Sequence, residues 1–585
     1  MKIDFNQGDL TTILKQTKKK TLRITLVRLL VFFSFIPVLV LSLTDYPILF
    51  LLLLLQLILF VYLIIRFNHF KDVEAFLKVL IKMDYERDLR RTRNLHSFDA
   101  GNEFQSKSHP FAIDLDLFGE HSVFQLLNHT CNISGRKLLA KKIKKNIDPA
   151  NAQILRPAID ELAEDHKFLR SFEATGRAFI KEEKPKDKFY NWLSQPLRWK
   201  SFYYLPMFLG PILGLALVFG VAAGLLPIAY LSFWILIGLL LLGFVFKPLA
   251  EASKVFPSQG DIKTYRIWSS MLMDKKFNDP YLQEQGKTFN DKNNIPEGLK
   301  TLEQVSFLVE NRINLVYLIF NLLFWLDFGL FWKLKKWKQS YENQLKDLDL
   351  IFDQWQVLVS LGSFSAEEKL VGDISWTEEE LIYFKTLKHP LLKPDIAVAN
   401  SLKLIPEEQT VLLTGSNMSG KTTFMRTIGV NMVLVNLGLR PFAEKLTVGP
   451  FQLYTSMRNM DNLGESVSSF YAELARIKQV LSAAERGEKV FFLMDEILKG
   501  TNTVDRVQGS EALIKQLSGS GAKGIISTHD IELSSLEEQL KYLKNYSFHS
   551  EISDNEIHFD YTLKPGPCPS FNAHKLMELM GIKFS

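Results

Sequence analysis

The sequence predicts an α/β domain of alternating strands and helices at the C-terminal end of a chain that is otherwise helical and is interrupted by two apolar helical hairpins. Three observations predict it. Residues 411–426 read VLLTGSNMSGKTTFMR, an apolar strand, a glycine-bearing loop and the start of a helix. From residue 389 onward short strand and helix patterns alternate, which calls for a mostly parallel sheet with helices on both faces. Residues 29–65 carry one charge, Asp45, and residues 201–246 carry none.

A chain of 585 residues forms several domains. Its net charge of +6 permits contact with nucleic acid or anionic lipid and requires neither. The two cysteines, Cys131 and Cys568, are too few for a disulfide framework or a zinc knuckle, and they fit a reducing cytosol.

The first apolar block turns at TDYP, residues 44–47, and the second at GLLP, residues 224–227. The runs on either side of each turn are about long enough to cross ~30 Å of hydrocarbon as helices. The flanks are basic: KQTKKKTLR at 15–23, Arg66 and Lys71 around the first block, Arg198, Lys200 and Lys247 around the second. The tips carry no Lys or Arg, so the positive-inside rule puts every hairpin end in the cytoplasm. A third run, INLVYLIFNLLFWLDFGLFW at 313–332, contains Asn314, Asn321 and Asp327. An aspartate at mid-membrane costs roughly 3 kcal/mol on insertion scales. A fifth crossing would also place the C-terminal domain outside the cell, away from ATP. This run is expected to be a cytosolic or membrane-surface helix, its apolar face on other helices or on the bilayer.

The expected organisation is an N-terminal transmembrane hairpin at 1–71, the first part of a helical core at 72–200 and a second transmembrane hairpin at 201–247. The helical core continues as a lever region at 248–388, and the α/β domain occupies 389–585. The mixed charges of 333–355 suit one long, partly exposed helix.

Gly415 to Thr422 fits G-x-x-x-x-G-K-[ST] between a strand and a helix at 421–437, the context this phosphate-binding loop requires. Gly415, Ser416, Asn417, Met418, Ser419, Gly420, Lys421, Thr422 and Thr423 would wrap phosphate with backbone N–H groups, aided by the positive end of the helix. Lys421 would reach the β- and γ-phosphates and Thr422 would ligate Mg2+. KVFFLMDE at 489–496 reads as a buried strand ending in two carboxylates. Asp495 would hold the same Mg2+, and Glu496 would polarise the attacking water. KGIISTHD at 523–530 is a further strand ending in His529, placed to sense the γ-phosphate or to position that water. The expected cofactors are ATP and Mg2+.

These segments resemble the MutS family of DNA mismatch-repair ATPases. TGSNMSGKTTFMR is similar to the family's P-loop, LMDEILKGTNTVD at 493–505 to its Walker B strand and following turn, and STHD to its histidine switch. SSFYAELARI at 468–477 resembles its signature helix, and YTLKPGPCPSFNAHKLMELMGI at 561–582 its closing strand and helix. DLDLFGEHSVFQLLNHTCNISGRKLLAKKI at 114–143 is similar to the opening of the family's helical core, and HPLL at 389–392 falls where the family's ATPase domain begins.

The resemblance implies that Asn417 lines the nucleotide pocket and that Ser468 and Ser469 meet the partner subunit's nucleotide. The ATPase would then be a composite site in a homodimer, with helical arms as levers. The fold class implied is a P-loop NTPase domain of the ABC/MutS type, joined to an all-α core and lever region with inserted transmembrane hairpins. The expected location is the cytoplasmic membrane, with the ATPase domain in the cytoplasm. Homodimer, membrane and double-stranded DNA are the candidate partners. The family's mismatch reader carries a Phe-x-Glu wedge, and residues 1–110 contain none, so mismatch reading is not expected. Lys499 stands where the family usually has Arg, and Ser419 where it usually has Gly. The alternative is a transport ATPase of the ABC type, whose core is related. Against it, the four spans carry no central charged or polar residue beyond Gln56, where a translocation path usually has some.

Overall fold

The computed structural model describes residues 9–44, 49–106, 108–181, 186–290, 294–416, 418–458, 469–553 and 556–569. Helices α1 (Leu10–Thr44) and α2 (Leu49–Arg91) form the first apolar pair. Five shorter helices follow: α3 (Val123–Leu127), α4 (Ile133–Ile143), α5 (Pro149–Glu164), α6 (His166–Phe179) and α7 (Asp187–Leu193). The second apolar pair is α8 (Tyr204–Ala222) and α9 (Ile228–Val255). Then come α10 (Gln259–Asp274), α11 (Pro280–Asn290), α12 (Ile295–Glu310), α13 (Leu315–Phe324), α14 (Leu326–Leu345) and α15 (Leu348–Glu368).

The remainder alternates: β1 (Asp373–Trp376), β2 (Ile382–Leu387), β3 (Asn400–Leu404), β4 (Thr410–Thr414), α16 (Lys421–Asn436), β5 (Lys445–Val448), β6 (Gln452–Ser456) and α17 (Ser469–Glu485). After these run β7 (Val490–Asp495), α18 (Thr503–Gly519), β8 (Lys523–Thr528), α19 (Leu536–Gln539), β9 (Leu543–Ser553) and β10 (Glu556–Pro565).

The chain divides into two compact units, each assembled from separate stretches. The first comprises Met1–Tyr85, Thr130–Gly135 and Lys167–Gln356. Four of its helical segments, Leu10–Ser42, Leu51–Arg91, Ser201–Val221 and Ile228–Val255, are long and apolar enough to cross a membrane. Their outer surfaces are greasy: Leu30, Leu55 and Leu240 are 72%, 62% and 71% exposed. Between α1 and α2, Phe32 and Phe35 meet Phe60. Gln56 donates to the Ser34 hydroxyl at 3.1 Å, so this polar pair links the two helices.

The run 313–332 is two helices, where the sequence suggested one. It breaks at Trp325, whose φ is +51°. The physical reason is local capping combined with a long-range contact. The Asn321 carbonyl accepts from Trp325 N at 2.8 Å, and the Asn321 side chain accepts from Asp327 N at 2.9 Å. The Trp325 ring stacks on Trp234 of α9 with centroids 4.0 Å apart. Asp327 is paired, accepting from Arg312 Nε and from the Tyr317 hydroxyl at 3.0 and 2.9 Å. The charged stretch 333–355 is likewise divided between α14 and α15. Each helix buries its own apolar residues, Leu334 and Trp337 on one, Phe352 and Trp355 on the other.

The second unit comprises Glu86–His129, Arg136–His166 and Val357–Ser585. Its main sheet has the order β10-β9-β4-β8-β7-β6. All neighbours are parallel except β10, which runs antiparallel to β9. β4 and β8 are buried along their whole length, as strands covered on both faces must be, and this is why they read as unbroken apolar runs. A smaller mixed sheet, β1-β5-β2-β3, precedes it. The segment before α3 packs on this unit. Fully buried Asp114 accepts from Thr455 Oγ1 and Arg476 at 2.7 Å each and from Arg458 N at 3.2 Å.

Candidate functional site

Strand order creates the site. β4 lies beside β8, and β8 beside β7, so the loop after β4 and the ends of β7 and β8 share one edge of a parallel sheet. Ligands of open α/β sheets bind at this carboxyl edge. The loop needs its two glycines. Gly415 and Gly420 have φ of +148° and +98°, and a Cβ on them would lie 2.8 Å from the Phe548 carbonyl and 3.0 Å from the Tyr561 ring. α16 begins at Lys421.

Lys421 is 3% exposed, and its Nζ donates to the carbonyls of Gly415 and Ser416 at 2.7 Å each. Burial pulls its pKa down to about 8, against the opposing charges of Glu496 and Asp495. The Ser419 hydroxyl donates to the Ser416 carbonyl at 2.8 Å. Met418 and Thr423 are exposed, and Asn417 lies outside the described residues.

Thr422 Oγ1 donates to Asp495 Oδ2 at 2.5 Å, and the Ser527 hydroxyl donates to the other Asp495 oxygen. The next residue, Glu496, has a φ of +49°, an unusual conformation for a non-glycine residue and one that clusters at functional sites. Its N–H donates to both oxygens of Ser527 at 3.1 Å. The Glu496 carboxylate sits between two bases: His529 Nε2 is 2.7 Å from Oε1, and the Lys499 ammonium pairs with Oε2. Burial pushes this carboxyl upward, but His529 and Lys499 outweigh it and hold it at about 2, so it is ionised at neutral pH.

The turn after β7 is tied to α17. Glu473 accepts from Leu498 N, and a Cβ on Gly500 would lie 2.6 Å from Phe470 Cβ. Ser469 opens α17, and Ser468 lies outside the described residues. Glu473 and Ser527 were not legible as site residues, because a lone acid in a helix and a serine in an apolar strand carry no local signal.

Beside the loop lies a cavity of about 710 Å³, within the size range of small-molecule sites. Gly420, Lys421, Thr422 and Thr423 form one wall, His389, Leu392 and Ile396 another, and Phe559 and Tyr561 a third. Asn400 holds Tyr561 at a φ of +51° by donating to its carbonyl at 3.0 Å and accepting from Leu563 N at 2.7 Å. HPLL and Tyr561, at the start of the 561–582 segment, are family landmarks in the sequence whose role as walls only folding reveals, and residues 570–582 lie outside the described residues.

No group of three or more His, Cys, Asp or Glu side chains gathers among the described residues. The converging oxygens of Thr422 and Asp495 fit Mg2+ nonetheless. This hard cation takes one or two protein oxygens and fills its octahedron with water and phosphate.

A parallel sheet whose central strand runs through a glycine-bearing loop into a helix, with acidic groups at the end of a nearby strand, is the arrangement that phosphate-binding α/β domains use. Residues 411–582 match the family model described as MutS domain V. The chain is 30% identical over 248 residues to a DNA mismatch repair protein MutS of Bacillus cytotoxicus, covering 41% of this chain and 27% of that protein. It is 27% identical over 338 residues to one of Aquifex pyrophilus, covering 55% of this chain and 37% of that protein. The chain is thus similar to MutS proteins over its C-terminal part. It spans little more than a quarter to a third of the length of the curated relatives it matches.

Proposed function

We propose that the protein is a membrane-anchored MutS-like ATPase. The observation that carries this reading is the convergence of Lys421, Thr422, Asp495, Glu496 and His529 at one sheet edge beside the 710 Å³ cavity. ATP would lie with its phosphates along the loop and its base between the His389 wall and the rings of Phe559 and Tyr561. Mg2+ held by Thr422 and Asp495 would neutralise charge on the β- and γ-phosphates. Lys421 gives up the carbonyls of Gly415 and Ser416 and turns to phosphate. Glu496 orients and polarises the attacking water, and His529 fixes the carboxylate.

The finished site is composite, formed by a homodimer in which Ser468 and Ser469 of one subunit approach the other subunit's γ-phosphate. The tie between α17 and the Glu496 turn supports this reading, because a push on the start of α17 reaches the catalytic carboxylate through Glu473 and Phe470. Dimer closure with ATP and opening after hydrolysis would move the helical arms. α1 with α2 and α8 with α9 anchor the chain as hairpins in the cytoplasmic membrane, with the ATPase domain in the cytoplasm. Double-stranded DNA is the candidate ligand of the arms.

The test uses full-length protein in nanodiscs. ATP with Mg2+ should shift the protein to a dimer and be hydrolysed, and Lys421→Ala should weaken ATP binding at least tenfold. Unchanged ATP affinity in Lys421→Ala, or a monomer that turns over ATP at full rate, would overturn the reading.

A further inference from the structure

Residues 313–324 carry large apolar side chains that nothing in their compact unit covers. Ile313, Leu315, Val316 and Ile319 are 93%, 69%, 61% and 49% exposed. No charged residue lies between Arg312 and Asp327. The opposite side of this segment is locked onto the second apolar hairpin. A Cβ on Gly214 of α8 would lie 2.1 Å from the Leu323 carbonyl, and one on Gly238 of α9 would lie 2.3 Å from Trp325 Nε1. Trp234 Nε1 donates to the Leu323 carbonyl at 2.8 Å.

These contacts give the segment a depth. Arg312 lies over the Phe246 ring at 5.2 Å, next to Lys247 where the apolar run of α9 ends. The turn at Leu323–Trp325 meets Gly214 and Gly238, which lie about 15 Å along α8 from Tyr204 and about 12 Å along α9 from Phe246, at 1.5 Å per residue. The chain then returns, because Phe328 meets Tyr203 at 5.7 Å and Phe331 meets Trp199 at 5.8 Å, both just before α8 begins. The path goes in beside the end of α9, turns about halfway through a ~30 Å hydrocarbon layer and comes out beside the start of α8. Helices α12 and α13 meet at 98°, as a chain turning down into a layer requires.

Irregular backbone survives at membrane depth only where its polar groups are satisfied by protein. At this turn three backbone groups are, while the buried Trp325 indole Nε1 has no partner among the described residues. Leu323 O takes the Trp234 indole, Trp325 N reaches Asn321 O, and Asp327 N reaches the Asn321 side chain. The Arg312–Asp327 pair, with side chains 9% and 1% exposed, closes the base of the loop as a neutral unit.

We propose that residues 312–331 form a re-entrant hairpin seated on α8 and α9, with its outer face buried in the acyl chains of the cytoplasmic leaflet. The proposal rests on the reading of α8 and α9 as membrane-spanning. Lipid is the occupant the surface favours, because the exposed face of α13 continues the exposed faces of the two spanning helices without a charged break.

Two measurements test it. Val316→Cys and Phe320→Cys carry a bimane label in nanodiscs, with Leu240→Cys as the spanning control, Val371→Cys as the aqueous control and the unsubstituted protein as background. Doxyl-phosphatidylcholine should quench positions 316 and 320 to within twofold of position 240, and iodide should quench only 371. Iodide quenching at 316 and 320 with doxyl quenching at 240 overturns the hairpin and leaves the anchoring intact. Shielding of 316 and 320 from both quenchers also overturns it, in favour of a protein partner. Loss of doxyl quenching at 240 overturns the anchoring and the hairpin together. The unmodified chain gives an independent readout: a phosphatidylcholine with a diazirine in its acyl chain should leave adducts on 313–320 as well as on 228–246, and adducts on 228–246 alone overturn the proposal.

Discussion

His529 Nε2 and Glu496 Oε1 lie 2.7 Å apart, and the other oxygen of the same carboxylate pairs with Lys499. The histidine comes from the end of β8 and the glutamate from the end of β7, so adjacent parallel strands make the pair. Two flanking bases keep Glu496 ionised and fix its direction, which a water-orienting carboxylate needs.

Glu496→Gln keeps the shape and removes the charge. We expect ATP turnover to fall by about 10²- to 10⁴-fold, the range for loss of a general base, while ATP binding with Mg2+ persists and the dimer accumulates. Phosphate release and retention of labelled nucleotide measure the two effects, and undiminished turnover would remove Glu496 from the reaction.

Lys421 makes ATP affinity depend on pH. Its pKa is lowered to about 8 in the free site, and phosphate oxygens would raise it on binding. Binding therefore takes up a proton above pH 8, and affinity falls as pH rises, by up to about tenfold per unit. Below pH 8 the lysine is charged in both states and this dependence disappears. Titration calorimetry from pH 7 to 9.5 in buffers of different ionisation enthalpy would expose the proton uptake, and flat affinity over that range would refute it.

Asp114 holds Arg476 of α17 and Thr455 in a buried network. Asp114→Ala removes the fully buried carboxylate that Thr455, Arg476 and the Arg458 N–H share and should cost about 3–5 kcal/mol of stability, the usual penalty for breaking a buried pair. Urea unfolding followed by a probe in the ATPase domain should show a lower midpoint with unchanged slope.

Two glycines of the second hairpin should behave oppositely. A Cβ at Gly214 meets the Leu323 carbonyl at 2.1 Å, and one at Gly243 meets nothing within 4 Å. Gly214→Ala is expected to lower stability by about 1–3 kcal/mol through overpacking. Gly243→Ala should leave stability unchanged or raise it slightly, given the better helix propensity of alanine. Thermal melts in nanodiscs compare them directly.

Duplex DNA should bind through its phosphates. Affinity would then fall steeply with salt, and matched and mismatched duplexes would bind alike, since phosphate contacts carry no base information. Fluorescence anisotropy at 50 and 200 mM salt, with and without ATP, separates this from salt-insensitive or mismatch-selective binding.

The loop from Gly415 to Thr422, the acidic end of β7 and the histidine end of β8 were all readable in the chain. Each is a local pattern, an apolar run long enough for a buried strand followed by residues of defined chemistry. The four long apolar helices were readable for the same reason, since length and lack of charge are properties of contiguous sequence. The walls of the cavity were not. His389 and Tyr561 are far apart in the chain, and only the order β10-β9-β4 and the Asn400 tether on Tyr561 bring them to one space.

Local sequence thus settled where strands, phosphate loop and greasy helices lie, because periodicity and glycine placement act over a few residues. Packing between distant segments settled the rest. Trp234 and Gly238 stop one apolar run at Trp325 and divide it into α13 and α14, and Arg312 turns Asp327 from a lone charge into a pair. Those outcomes depend on partners brought near by folding, and no window of neighbouring residues contains them.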